Sequence, residues 1–332
     1  MILELTERDL VRRPADVLAA VYAARRAGWG VALDDVGAHQ DSLALMPLVR
    51  PDVVKLDMAL VQGRQTTEVG RTASAVGCYA EESGATVLAE GIETDVHLER
   101  AIALGATLGQ GWRFGRPTSL GALTAPAHGR IVPIPDVAHL SGTPFDLVGR
   151  RLPTRVARKS QLLAMSHHLE RQAIEQPIPP LLFAAFEDAA FFTAATKRRY
   201  TTYAEVCPLV AAFGTGLAVE AAPGVRGAAL DRSDPLAAEW TVIVLGPHFA
   251  GALIARDLGD PCTDPDRRFE FAITHDRRAG HDRRPLPGRA HHRPPGGLTT
   301  GGAYHAPCLS SFLPARRASS PTSSSSRPSP PA

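Results

Sequence analysis

The chain contains no run of eighteen apolar residues, so nothing in it has the length of a membrane-spanning helix. Its first residues, Met-Ile-Leu-Glu-Leu-Thr-Glu, lack the basic-then-apolar layout of a secretory signal. A cytoplasmic protein is the expectation. Cysteine is scarce as well: Cys78, Cys207, Cys262 and Cys308 lie far apart and form no Cys-x-x-Cys pair. Neither a disulfide framework nor a thiolate zinc site is indicated, and reduced thiols fit the same compartment. What is present is an ordinary globular composition, 44% hydrophobic and 21% charged, over 332 residues, enough for about two domains.

The net charge of +2 hides an uneven distribution. From Arg277 onward there are nine Arg and one acid, Asp282, a net of +8, which leaves 2 − 8 = −6 for residues 1–276. The basic balance therefore belongs to a tail, and a nucleic-acid-binding surface on the folded part is not expected.

The first third is organised around Val31-Ala-Leu-Asp-Asp-Val-Gly37, where apolar strand residues run into adjacent carboxylates. Paired acids at the mouth of a buried strand are costly unless neutralised, and a divalent cation is one solution; an exposed Asp-Asp turn is the other. The neighbouring segments favour the cation. Ile2 to Glu7 alternates as a strand, a helix is predicted over 15–27 with Gly28 as its stop, and a short helix runs from Ser42 to Val49. Val53-Val-Lys-Leu-Asp57 is another strand, with Lys55 and Asp57 on one face, and a helical segment over 65–83 stops at Gly84. Thr86 to Glu93 gives a fourth strand, 95–104 a helix, and Thr107 to Gly111 a fifth strand ending in Gln110.

Strands alternating with helices imply a parallel sheet with right-handed crossovers. Four successive strands carry acids at their C-terminal ends: Glu4 with Glu7, Asp34 with Asp35, Asp57, and Glu90 with Glu93. Glu4 to Asp34 is 30 residues, Asp35 to Asp57 is 22 and Asp57 to Glu90 is 33, close to the roughly 30 per unit of a (β/α)₈ barrel, whose active sites lie at that face. Several carboxylates and one Lys suit magnesium or manganese, which can activate water and stabilise phosphoryl charge. A remaining carboxylate could act as general base. Lys55 either orients water and offsets phosphate charge, or forms a plain salt bridge with Asp57 or a neighbouring acid.

Glu-Leu-Thr-Glu (4–7), Ala-Leu-Asp-Asp-Val-Gly (32–37), Val-Lys-Leu-Asp (54–57), Ala-Glu-Gly-Ile-Glu (89–93) and Gln110-Gly111 with Phe114-Gly-Arg-Pro117 resemble the ordered motifs of the EAL domain family, cyclic di-GMP phosphodiesterases. The resemblance implies two metal ions, magnesium or manganese, with Glu4 and Asp34 on one and Asp35 and Asp57 on the second or on the water between them. It makes Glu90 the general base, gives Lys55 and Gln110 the positioning of water, lets Glu7 anchor the loop after the paired Asp, and leaves Glu93 in support. Cyclic di-GMP and a second copy of the chain are the implied partners. The family's barrel begins with three further strands, which supply the Glu of the Glu-Ala-Leu signature, a substrate-binding Arg and a metal-binding Asn. This chain starts at the equivalent of the fourth strand. A partial TIM-type barrel with two unpaired edges is therefore expected over 1–120, with weak or absent hydrolysis. The loop Val36-Gly-Ala-His-Gln-Asp-Ser42 departs from the family's aromatic-rich run, and His39 within it reads as solvated.

Residues 121–142, with Pro126, Pro133 and Pro135, read as a linker, and 143–276 as a mixed α/β module. Arg158 to Arg171 is an amphipathic helix with Leu162, Met165 and Leu169 on one side. Strands are expected at 180–186, 240–246 and 268–274, with a helix after Pro247 ending near Leu258. His167 and His168 diverge on their helix and cannot chelate together, and a capping role suits His248. Segments 158–167, 223–227 and 239–249 resemble the DICT domain, a sensory module found beside cyclic di-GMP enzymes and two-component proteins, whose ligand the sequence does not name. Residues 277–332, rich in Arg, Pro, Gly and Ser, are expected to be disordered. Two functions follow: a cyclic di-GMP phosphodiesterase-class signalling protein with a sensory domain, or a non-enzymatic descendant in which the sensor carries the function.

Overall fold

Alternating apolar residues in Ile2–Leu5 form strand β1, which pairs in parallel with β2, Gly30–Val36, through the helix α1, Pro14–Arg26. Pro14 opens that helix with its φ preset and no amide to satisfy. The same unit recurs. Helix α2 (Asp41–Val49) leads to β3 (Val53–Leu56), the short α3 (Met58–Gln62) and α4 (Thr67–Ser83) lead to β4 (Thr86–Ala89), and α5 (Asp95–Ala103) leads to β5 (Leu108–Gly109). These belong to a computed structural model that describes residues 1–6, 12–38, 41–117 and 142–275. Glu7, His39, Cys308, most of the linker and the tail lie outside the described residues.

All five strands are parallel and ordered β1-β2-β3-β4-β5, one open layer with β1 and β5 at its edges. One face carries Leu5, Val31, Leu33, Val54, Leu56, Val87 and Ala89, all in the hydrophobic core with Val21 of α1, Leu43 and Met46 of α2, and Val76 and Tyr79 of α4. By the strand period of two, the other face carries Glu4, Asp34, Lys55 and Glu90. Helix ends follow local chemistry. Thr66 caps α4 through the Val69 N–H, Thr94 caps α5 through the His97 N–H, and Gly84 closes α4 in the left-handed conformation at φ +76°.

The second unit opens with α6 (Pro144–Gly149) and builds an eight-stranded mixed sheet. Its strands are β6 (Arg155–Arg158), β7 (Leu181–Asp188), β8 (Val210–Thr215), β9 (Glu220–Ala222), β10 (Val225–Leu230), β11 (Glu239–Leu245), β12 (Ala250–Asp257) and β13 (Arg268–Thr274), in the order β6-β13-β12-β11-β7-β8-β10-β9. Alternate residues of β7 and β11 enter different cores: Leu182, Ala184, Val242 and Val244 join Leu162 and Leu169 of α7 (Lys159–Glu175) and Tyr200 and Tyr203 of α8 (Ala194–Ala204). Phe183, Ala185, Ile243 and Leu245 face the other way, with Phe145 of α6 and Leu236 in the same core.

Two expectations fail here. Residues 250–257 are a strand and not a helix: the run is buried along nearly its whole length and pairs antiparallel with β11 on one side and β13 on the other. Doubly covered strands lose the period-two signal, and the apolar run of six from Ala250 to Ala255 then reads as either element. On α7, Met165 is 41% exposed, and the buried stripe is Leu162, Ser166, Leu169, Glu170 and Ala173. Among the described residues, no helix is long and apolar enough to cross a membrane.

Candidate carboxylate and lysine site

The site lies at the C-terminal ends of the parallel strands and is built by register. Ala32 pairs with Val53 and Leu33 with Val54, but Val36 then pairs with Leu56. Two residues, Asp34 and Asp35, thus oppose the single Lys55, a β-bulge, and Asp35 takes the extra place at φ +55°. Without it, the period of two would send adjacent carboxylates to opposite faces; with it, oxygens of Asp34, Asp35 and Glu90 all lie within 4.8 Å of one another and could hold a metal ion. Asp35 is exposed, and its own N–H donates to Asp34 Oδ1 at 3.1 Å.

Lys55 rises from β3, all four of whose residues are buried, and its side chain is 11% exposed. Its ammonium lies 2.7 Å from Asp34 Oδ1, 2.9 Å from Glu90 Oε1 and 3.6 Å from Glu4 Oε2. Burial acts to discharge Lys55, but the hydrogen bonds to Asp34 and Glu90 and their charges outweigh it and hold the amine well above the ordinary lysine range. Glu90 is half-buried and is followed by Gly91 at φ +68°, where a Cβ would come within 2.4 Å of the Met58 side chain. The Gly91 carbonyl accepts from Gln62 Nε2 at 2.7 Å, which ties the Glu90 strand end to α3.

The remaining acids are placed differently. Asp57 Oδ1 accepts the Ala59 N–H at 2.7 Å and caps α3. Glu93 is exposed, as is Gln110, whose backbone continues the ladder: its N–H donates to the Ala89 carbonyl and its carbonyl accepts from Ile92. Glu4 reaches Lys55 with its side chain 58% exposed. Asp52, which sequence reasoning passed over, is buried at the opposite end of the sheet. It accepts the Val31 N–H at 2.6 Å and pairs with Arg25 at 3.4 Å, locking β2 to β3. A carboxylate preceding a strand instead of ending it was the available signal.

In the second unit, His168 and His248 are exposed, and His167 is held below its ordinary pKa by burial and by Arg199. Glu170 is buried and accepts from Arg199 at 2.6 Å, Tyr200 at 3.0 Å and Ser166 at 3.2 Å.

Open α/β sheets and barrels of this kind present ligands at the C-terminal strand ends, and here that end carries the oxygens of Asp34, Asp35, Glu90 and Glu4 around the Lys55 ammonium. Comparison with known proteins is specific. Residues 1–117 match the EAL domain, and residues 147–258 match the domain described as "Sensory domain in DIguanylate Cyclases and Two-component system", or DICT. The chain thus combines an EAL-type segment with a DICT sensory domain.

It is 34% identical over 118 residues to the cyclic di-GMP phosphodiesterase RocR of Pseudomonas aeruginosa, covering 35% of this chain and 30% of RocR. It is 30% identical over 119 residues to the uncharacterized protein Rv1357c of Mycobacterium tuberculosis, covering 34% and 39%. Two solved structures are also similar. The PaMucR phosphodiesterase in complex with c-di-GMP shares 26% identity at a TM-score of 0.33, over 36% of this chain and 49% of that one. Klebsiella pneumoniae BlrP1, solved with manganese and cyclic di-GMP, shares 35% identity at a TM-score of 0.33, over 35% and 30%. The chain therefore spans less than half the length of these relatives.

Proposed function

We propose that this chain is a cyclic di-GMP signalling protein, in which the EAL-type segment carries the metal-binding and general-base side of a phosphodiesterase site and the DICT domain is its sensory input. The observation that carries the reading is the convergence of Asp34, Glu90 and Glu4 on the Lys55 ammonium, with Asp35 turned beside them by the bulge. The donor set fits a hard divalent cation: it is made of carboxylate oxygens with no thiolate or imidazole. Asp34, Asp35 and Glu90 would hold magnesium or manganese with Glu4 in reach, and Asp57 serves a second ion or its water if it leaves its cap. Bound there, the cation would lower the pKa of water and stabilise charge on the phosphoryl oxygens.

The chain's own residues divide the rest. Glu90 takes the proton of the attacking water with the carboxylate oxygen it leaves free of the cation, the water oxygen bonds to phosphorus as the phosphorus–oxygen ester bond breaks, and the proton passes to the leaving oxygen. Lys55 offsets charge on the phosphoryl group, and Gln110 at the adjacent strand end orients water. Glu93 supports the loop after Glu90. The open sheet leaves Asp35 exposed and Glu4 more than half exposed, so hydrolysis by this chain is expected to be weak or absent while cation binding persists.

Purified 1–332 incubated with magnesium or manganese and cyclic di-GMP, with the linear dinucleotide followed by chromatography, tests this. Any turnover must vanish in Glu90→Gln; turnover that survives this change removes the base assignment. A chain that binds neither cation nor cyclic di-GMP favours the second reading, a sensor protein with a non-catalytic EAL-type segment. The exposure of Glu4 and the capping duty of Asp57 are the observations on that side.

A further inference from the structure

Lys55 and a divalent cation would ask for the same two carboxylates. The ammonium lies within hydrogen-bond distance of Asp34 Oδ1 and Glu90 Oε1, and Asp34 and Glu90 are two of the three acids whose oxygens cluster closely enough to hold an ion. The ammonium at 2.7 Å draws on the same negative charge and acceptor capacity that these carboxylates would offer a cation. Repulsion adds to this. With its side chain 11% exposed, Lys55 is poorly screened by solvent, so its charge opposes any cation held by the same carboxylates.

We propose that Lys55 is a tethered counter-ion of this site: its ammonium fills the carboxylate cluster when no divalent cation is bound, and a cation enters by displacing it. The inference rests on the reading that these carboxylates bind a divalent cation. Three consequences follow from the chemistry of the side chain. The cluster is not left as uncompensated like charge in the cation-free protein, which would strain β2 and β4 apart. The site loads only when the cation outcompetes an ammonium present at high effective concentration, which sets a threshold for occupancy. The displaced ammonium, on a flexible four-carbon stem, is released toward solvent at the strand ends, where it can meet an anionic ligand; loading and anion capture are thereby coupled.

The experiment is a manganese titration of the full chain without cyclic di-GMP, reading free manganese by electron paramagnetic resonance and thermal unfolding in parallel. Lys55→Met keeps the apolar stem and removes the charge, Lys55→Gln does the same with a polar end, and Lys55→Arg keeps the charge. The two neutral variants should bind manganese about tenfold tighter or more, and Lys55→Arg no tighter than wild type. Without manganese the neutral variants should melt below wild type, and saturating manganese should raise their Tm more than that of wild type. Binding by the neutral variants alone supports the proposal in its strongest form. Measurable binding by wild type with equal or weaker binding by both neutral variants overturns the counter-ion role while leaving the cation site standing. No binding by any chain overturns both.

Discussion

Asp57 shows how one carboxylate can hold a structural duty in a chemical neighbourhood. Its Oδ1 caps α3 through the Ala59 N–H. Asn caps nearly as well as Asp, whereas Ala does not, so Asp57→Ala should lose about 1 kcal/mol in urea unfolding and Asp57→Asn only a few tenths. If Asp57 also serves an ion, both changes weaken manganese binding alike, which separates the two duties. Asp35 poses the complementary case. At φ +55° it occupies a region that Asp tolerates better than Ala and Gly enters without strain. Asp35→Gly should therefore be more stable than Asp35→Ala by about 1 kcal/mol, although both remove the same carboxylate. Equal stabilities in urea denaturation would show that the bulge conformation is not as described.

The same device recurs between elements. The β7 ladder slips between Ala185 and Asp188, with Glu187 at φ +56°, as β2 slips between Leu33 and Val36. In β7 the displaced acid is 12% exposed and meets Arg267 with both oxygens at 3.0 Å. Arg267 also pairs with Asp257 and Asp264, and its guanidinium and the Lys159 ammonium both contact the Phe191 ring, at 5.2 and 4.3 Å. Burial raises the pKa of Glu187, against the pull of Arg267. Removing the arginine would leave Glu187 and Asp257 facing each other, so Arg267→Ala should cost about 3 kcal/mol or more, since breaking a buried pair strands its partner. Adding Glu187→Gln should recover part of that loss in a double-mutant cycle; strict additivity would mean the two do not interact. A second anchor holds α6 to the sheet: buried Glu239 accepts from Thr143 and from the Phe145 N–H at 3.1 Å, and Arg256 bridges Glu239 and Asp146.

At the scale of the whole molecule, buried acids of high pKa set the alkaline limit. Burial pushes the Cys207 thiol up from 9.0 to about 12, and the Tyr203 phenol up from 10.0 to about 12. Both groups ionise earlier in the unfolded chain than in the folded one. Their contribution is thus fully present below about pH 9 and is lost as pH rises from 9 toward 12. The Tm should fall steeply across that range, and Cys207→Ala, whatever it costs at pH 7, should flatten the fall. An unchanged slope in calorimetry would remove Cys207 from the account. In the native protein at pH 8 an alkylating reagent should modify exposed Cys262 and spare buried Cys207.

Much of the first unit was legible because its signals are local. Period-two and period-3.6 patterning, Pro14 at a helix start and Gly84 at a helix stop depend on residues a few places apart. So does the succession of acids at the ends of β1 to β4. Alternation of strands and helices determined a parallel, singly wound sheet, and the motifs at its strand ends determined the family resemblance of the first unit.

Which of those side chains meet was decided by strand pairing. The adjacent Asp34 and Asp35 share a site because β2 slips against β3, a property of two strands together. Lys55 reaches Asp34, which opposes it in the bulge of β2, and Glu90, which lies two residues beyond its partner Leu88 on the same face. The strand identity of Ala250–Asp257 was likewise decided by β11 and β13, which bury it from both sides and erase its period. Local sequence determines which elements form and which residues cap their ends, since those choices are made by chemistry within a turn or two. Register, bulges and ion pairs join residues tens of positions apart, and only the packed sheet specifies them.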